Sequence, residues 1–202
     1  MLPPPGPDFP DRGLSPPIVL RLELSIPGSQ HLGGLPWREY GDVPPPPPVL
    51  VEDDSGEVVM RITKPVHHEI LDALTSRRPE AGGILLGPRN HHAVTHFILD
   101  ENAAATPSSF TLDHVGLNKV LKRYRTCEMD MKGIVHSHPR GLNRPSKPDL
   151  QYVLKTFSNP KNSDLREFLL PIVCGEEFFP FVVTRGDAPG SEDVVPAKLV
   201  LF

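Results

Sequence analysis

Cysteine is scarce in this 202-residue chain: Cys127 and Cys174 are all it has. Two thiols cannot build a disulfide framework, so the sequence reads as a protein of a reducing compartment. An excess of basic charge is also missing. Twenty-one basic against 25 acidic side chains leave a net charge of −4, which argues against a general nucleic-acid binder. No apolar run approaches the roughly 20 residues that cross a bilayer. The opening Met-Leu-Pro-Pro-Pro-Gly-Pro-Asp places no basic stretch ahead of an apolar one, so no secretory signal is expected. No internal repeat is visible, which excludes a solenoid. The expectation is a cytoplasmic protein with neither membrane nor nucleic acid as partner.

Proline is what the chain has in excess. Fourteen of its 26 prolines fall in residues 1–48 and end in the run Pro44 to Pro48. Proline lacks an amide donor and fixes φ, so this region cannot be mostly helix or central strand. Residues 1–16 read as disordered. Residues 17–26 alternate through Leu20, Leu22, Leu24 and Ile26 and read as a strand, an arm able to add to a sheet. Pro44 to Pro48 reads as a polyproline II spacer of roughly 3.1 Å per residue. The division is a Pro-rich arm and linker over 1–57, with Trp37 and Tyr40 as candidate anchors, and a folded domain over 58–202.

Within that domain the apolar periodicity predicts strands at 58–62, 80–87, 93–99, 109–112, 131–136, 168–174, 178–184 and 197–202. Helices are predicted at 66–76, 113–125 and 146–157. Val115, Leu117, Val120, Leu121 and Tyr124 are the expected core positions of the second helix. Strands and helices are interspersed but the late strands come in succession. The fold class is therefore α/β, a mixed sheet flanked by helices rather than a repeating βαβ array.

The chemistry concentrates in residues 133–149. His136 and His138 lie two apart at the end of an apolar strand, so both imidazoles face the same side. Pro139 stops the strand, and a loop leads to a helix with Ser146 as N-cap and Asp149 three residues on. Two imidazoles and one carboxylate make a three-donor set for zinc, one ion per chain, with a fourth position for water. Such a site needs a separate proton carrier. Glu80, at the head of a glycine-rich strand, is the best candidate. Ser146 could stabilise an oxyanion, although capping the helix and donating to an oxyanion are expected to compete for its hydroxyl.

Glu80, His136-Ser137-His138-Pro139 and Ser146-Lys147-Pro148-Asp149 together resemble the JAMM motif of the MPN (JAB) metallopeptidase family, with ten residues separating His138 from Asp149. Glu80-Ala-Gly-Gly-Ile-Leu-Leu-Gly87 is similar to that family's first strand, and the resemblance spans roughly 58–185. It implies an MPN (JAB)-like curved mixed sheet flanked by helices. It implies zinc on His136, His138 and Asp149, Glu80 as acid/base and Ser146 as oxyanion stabiliser. The implied reaction is hydrolysis after the C-terminal glycine of a ubiquitin-like protein, releasing it from a target lysine or trimming its precursor. The chain looks most like bacterial JAB peptidases encoded beside ubiquitin-like, E1-like and E2-like partners, antiphage defence operons included. Two alternatives share the motif or the fold: a peptidase acting on a small sulfur-carrier protein, and an inactive MPN scaffold.

Other signals have plainer readings. His67-His68 and His91-His92 read as surface histidines, because adjacent side chains diverge, and His96 and His114 read as structural. Cys127 and Cys174 read as buried thiols without a paired base. Lys119, Lys122, Arg123 and Arg125 read as a solvated basic face. Arg140, Arg144 and Lys147 sit on the loop beside the expected metal, where they would meet a substrate tail.

Overall fold

A computed structural model of the protein describes residues 53, 56–75, 80–106, 109–186 and 192–202. The readings made for residues 1–52, the arm at 17–26 and the proline run included, lie outside them. In chain order the elements are β1 (Val59–Ile62), α1 (Lys64–Thr75), β2 (Gly82–Pro88), β3 (Ala93–Val94), β4 (His96–Leu99), β5 (Ala104–Thr106) and β6 (Ser109–Thr111). There follow α2 (His114–Arg125), β7 (Met129–His138), α3 (Lys147–Ser158), β8 (Glu167–Leu169), β9 (Ile172–Cys174), β10 (Glu177–Phe179), β11 (Phe181–Thr184), β12 (Asp193–Pro196) and β13 (Lys198–Leu201). No helix among the described residues is long and apolar enough to cross a membrane.

The main sheet is mixed, as expected. β2 and β7 are antiparallel at its centre, and β4 flanks β2. On the other side β8 and β9 run parallel to β7, followed by antiparallel β10 and β11, with β12 outside β11. A small parallel sheet has the order β13-β1-β3. The linker's end is tied to it: Lys198 Nζ donates to Asp53 Oδ2 at 2.9 Å and Glu57 Oε2 at 3.4 Å.

The expected strands over 168–174 and 178–184 are each interrupted, for one reason. β8 and β9 keep a single register along β7, Gly133 opposite Leu169 and His136 opposite Ile172. β11 and β10 likewise keep one register against β8 and β9, Val182 opposite Leu169 and Glu177 opposite Cys174. That register sets Pro171 across from Pro180. Leu170 N donates to the Phe181 carbonyl, so Pro171 and Pro180 form a non-hydrogen-bonded pair. Each lacks the N–H that would point outward from the hairpin; the Pro180 carbonyl still accepts from Ala197 N. The expected strand at 93–99 divides at Thr95 because Ala93–Val94 joins β1 whereas His96–Leu99 joins β2. β5 and β12 were not legible: the first is Ala-Ala-Thr, and the second is an edge strand with little buried surface.

Alternation along the strands sorts the core into two layers. Ile84, Leu86, Ile134, Phe168 and Leu170 pack with Leu117 and Leu121 of α2 and Val153 and Phe157 of α3. Leu85, Val135, Val173 and Val182 pack on the opposite face with Val66, Ile70 and Leu74 of α1 and with Met60 and Ile62. Each such fully buried side chain contributes roughly 1.5–3 kcal/mol of transfer free energy. Leu117, Leu121 and Tyr124 form the buried stripe of α2, whereas Val115 is 69% exposed. Two positions before Leu117 is about 200° around the helix, so Val115 cannot share that stripe. Close strand approach requires glycine at Gly133, where a Cβ would collide with the Leu169 carbonyl.

Candidate metal centre

His136 and His138 share the parity of Ile134, so the pleat turns both toward the face that α2 and α3 cover. α3 starts at that end of β7. Ser146, extended at φ −80° and ψ 166°, is its N-cap, and Pro148 sits in the first turn, where no amide donor is needed. Asp149 is the third helical residue and completes a capping box, with Ser146 N donating to its Oδ2 at 2.6 Å. The intervening loop doubles back at Gly141, whose φ of +91° suits a residue without a Cβ. The carbonyl of Leu142 lies 3.0 Å from His138 Nδ1. A proton on Nδ1 directed at that carbonyl leaves Nε2 with its lone pair toward the cluster.

Three donors converge there. The Nε2 atoms of His136 and His138 are 2.9 Å apart, and Asp149 Oδ1 and Oδ2 lie 3.2 Å and 3.3 Å from them respectively. Zinc–donor bonds of roughly 2.0–2.1 Å at tetrahedral angles put neighbouring donors roughly 3.3–3.4 Å apart. The set therefore fits a tetrahedral zinc ion with its fourth position open. Among the described residues this is the one group of three or more His, Cys, Asp or Glu side chains whose donor atoms meet this way.

The electrostatics match such a cage. Burial opposes the charge on Asp149, but hydrogen bonds from His136 and His138 outweigh it and hold the carboxyl well below the usual carboxylate range. Burial also opposes a proton on His138. The hydrogen bond and charge of Asp149, the Leu142 carbonyl and the charge of Glu80 outweigh it and raise its pKa. His136 is 3% exposed and His138 9%. A divalent cation held there would supply positive charge opposite the carboxylate.

Glu80 stands outside the donor set, near enough for its charge to bear on His138. The β2–β7 register pairs Gly82 with His136, and carried two residues outward it sets Glu80 opposite His138. Directly opposed residues in an antiparallel pair point to the same face. Gly82, opposite His136, adds no side chain between Glu80 and the donors. The predicted competition at Ser146 does not arise. Its Oγ accepts from Asp149 N at a long 3.4 Å, so the cap leaves the hydroxyl proton free.

Three features of the site had no side-chain signature in the sequence. The Leu142 carbonyl is a backbone group. Cys174 flanks His138 through the parallel β7–β9 register. Ser137, between His136 and His138, has the parity of Val135 and turns to the opposite sheet face. Beside the centre an open cleft of 380 Å³ is lined by Arg140, Gly141, Cys174, Gly175, Glu176 and Glu177. Arg140 and Arg144 are exposed, and Leu142 between them is 57% exposed.

The remaining predicted residues sit apart from the centre. His68, His91, His92 and His96 are exposed, and His114 is half-buried. His67 is half-buried rather than superficial, edge-on to Phe178 with ring centroids 5.1 Å apart. The thiols are not buried: Cys127 is exposed in the turn after α2, and Cys174 is half-buried with Sγ donating to the Pro139 carbonyl at 3.4 Å. Lys119, Lys122 and Arg123 are exposed on α2, as expected, whereas Arg125 is half-buried with its Nε 3.7 Å from Asp130 Oδ1.

Comparison with known proteins agrees with this architecture. The family model described as prokaryotic homologs of the JAB domain matches residues 63–182. No curated protein matches the chain. A Desulfitobacterium hafniense protein of known solution structure superposes with a TM-score of 0.52 at 21% identity, covering 70% of this chain and 92% of that one. A JAB1/MPN domain protein from Archaeoglobus fulgidus matches at 19% identity with a TM-score of 0.36, over 71% of this chain and 98% of that one. A Salinibacter ruber protein matches at 15% identity with a TM-score of 0.41, over 70% of this chain and 91% of that one. With the matched family model spanning more than half of its length, the chain belongs to the prokaryotic JAB domain family.

Proposed function

We propose that this protein is a zinc-dependent peptidase of the isopeptidase type. It cleaves after the C-terminal glycine of a ubiquitin-like protein, releasing it from a target lysine or trimming its precursor. The observation that carries this reading is the convergence of His136, His138 and Asp149 at zinc-like spacing with a carboxylate, Glu80, set opposite His138 and outside the donor set. An inactive scaffold has no need for all four groups.

Zinc, when bound, supplies a Lewis acid and lowers the pKa of its water to about 7. His136, His138 and Asp149 hold it, and the capping box and the Leu142 carbonyl fix the donors' orientation. Glu80 accepts the proton from the attacking water on one carboxylate oxygen and hands it to the departing amine nitrogen, so one group serves as base and then as acid. The Ser146 hydroxyl donates its free proton to the scissile carbonyl oxygen as negative charge develops there. The sheet and its two covering helices keep the donors largely dry, which strengthens each of these interactions.

The rim supports this substrate class. Exposed Leu142 lies between exposed Arg140 and Arg144 on the loop that leads from the centre to α3. Such a rim suits an extended, narrow chain end such as a Gly-Gly tail, drawn out from a folded modifier. Partners would then be the ubiquitin-like protein, its conjugates and the E1-like and E2-like proteins that make them. The test uses the full chain and a ubiquitin-like fusion with a C-terminal extension, with and without a chelator. Cleavage at the glycine, abolished by chelator and restored by zinc, is expected. Chelator-insensitive cleavage, or none on any ubiquitin-like or sulfur-carrier fusion, overturns the reading.

A further inference from the structure

We infer that Ser137 is a positioning residue that fixes Glu80 relative to the zinc donors. The inference rests on the proton-carrying role proposed for Glu80. Ser137 lies between His136 and His138, yet the pleat turns it to the other side of the sheet. There it is 8% exposed, alongside Ala81 and the α1 layer. It therefore cannot touch a substrate at the metal. What it touches is the backbone next to Glu80.

Three hydrogen bonds join the two residues. Ser137 N donates to the Ala81 carbonyl at 2.8 Å. The Ala81 amide donates to Ser137 Oγ at 2.9 Å, and that hydroxyl in turn donates to the Ala81 carbonyl at 3.3 Å. Ala81 precedes the first residue of β2, so here the regular ladder has ended. The hydroxyl extends the pairing one rung beyond the strand and closes it on both backbone groups of Ala81. Glu80 is the next residue out, directly bonded to Ala81. Without the side-chain clasp Ala81, the residue that carries Glu80 into place, is held to Ser137 by one bond rather than three. The histidines stay in place, because β7 is paired on both sides through β2 and β9. Ser137 thus acts on the proton carrier selectively and leaves the metal donors alone.

The effect is on geometry. A misplacement of about 1 Å at a reacting group costs roughly 100-fold in rate. Ser137→Ala in the full chain is expected to lower kcat roughly 10- to 100-fold with KM within about twofold, and with one zinc retained per chain. Ser137→Thr, which restores a hydroxyl, should recover most of the rate. The decisive arm is a cycle with Glu80→Gln. If Ser137 works through Glu80, Ser137→Ala should cost little further rate once Glu80 is replaced. A purely structural serine would cost the same factor in both backgrounds, and that additivity overturns the inference. Hydrogen exchange of the zinc-loaded protein gives a reading independent of activity. Ser137→Ala should speed exchange at residues 80–82 without speeding it at 134–136. If the wild type hydrolyses nothing, the proposed function fails on its own account. Unchanged exchange at 80–82 would then overturn the positioning claim separately.

Discussion

In the proposed function Asp149 serves the metal as well as the start of α3, and Asp149→Asn separates the two. The amide keeps an oxygen for the Ser146 N–H, the 2.6 Å bond that closes the capping box. What it loses is the negative charge that the two imidazoles hold in place. The zinc-free variant loses the pairing with the imidazoles as well as an anion at a helix N-terminus, the latter alone worth about 0.3–1 kcal/mol. It should therefore melt below the wild type, and the zinc-induced shift within each protein isolates the metal. Zinc binding should suffer far more. Loss of an outer-shell partner alone weakens a metal site roughly 10- to 100-fold, so losing this anionic donor should weaken it by about 100-fold or more. With zinc at about 1,000 times its wild-type dissociation constant, linkage stabilises the wild type by about 4.1 kcal/mol, and the weakened variant by about 1.4 kcal/mol. For a chain of this size these amounts correspond to zinc-induced shifts in Tm of roughly 8–16 °C and 3–6 °C. Thermal unfolding with and without zinc, followed by circular dichroism, measures both. Equal zinc shifts in the two proteins would refute the assignment of Asp149 as a donor.

The remaining predictions concern the cap, the sheet and a buried acid. Ser146→Ala removes a weak cap contact and a proton donor. It should cost about 1 kcal/mol of stability in a melt and roughly 100-fold in kcat, with zinc content unchanged. Gly133→Ala forces a Cβ into the Leu169 carbonyl and should destabilise the fold by about 2–3 kcal/mol in urea unfolding. Glu167 has a buried carboxylate oxygen without a hydrogen-bond partner, and burial pushes its pKa up to about 7 from 4.5. Its folded pKa is raised, so the folded chain holds a proton that the unfolded chain releases. Stability therefore falls as pH rises from about 4.5 to 7, and the full cost persists above that window. Glu167→Gln should match the wild type at pH 4 and exceed it at pH 8 by up to about 3 kcal/mol. A variant with the same pH profile as the wild type would contradict this.

The site was more legible in the sequence than the sheet that carries it. His136 and His138 could be placed on one face because strand parity holds wherever one face is buried, and Ser146 and Asp149 announce their helix start through capping chemistry. Such local rules survive folding. Glu80 was reachable only through the motif, because its place opposite His138 depends on a register between strands that are some 50 residues apart in sequence. The prolines misled in the opposite way. Each is visible in the sequence, but only the hairpin register sets Pro171 opposite Pro180 and interrupts both strands at the same level. The change of sheet at Thr95 and the exposed β12 likewise depend on partners that apolar alternation cannot name. Val115 was misjudged as core because it is apolar, although its helical phase relative to Leu117 already places it outward.

The most direct test of the account compares the zinc-loaded wild type with Glu80→Gln on one ubiquitin-like fusion, measuring metal content and turnover on the same samples. The account predicts one zinc per chain in both proteins and a fall in kcat of roughly 100- to 10,000-fold in the variant. A variant that keeps wild-type turnover, or a wild type that cleaves without zinc, would contradict it.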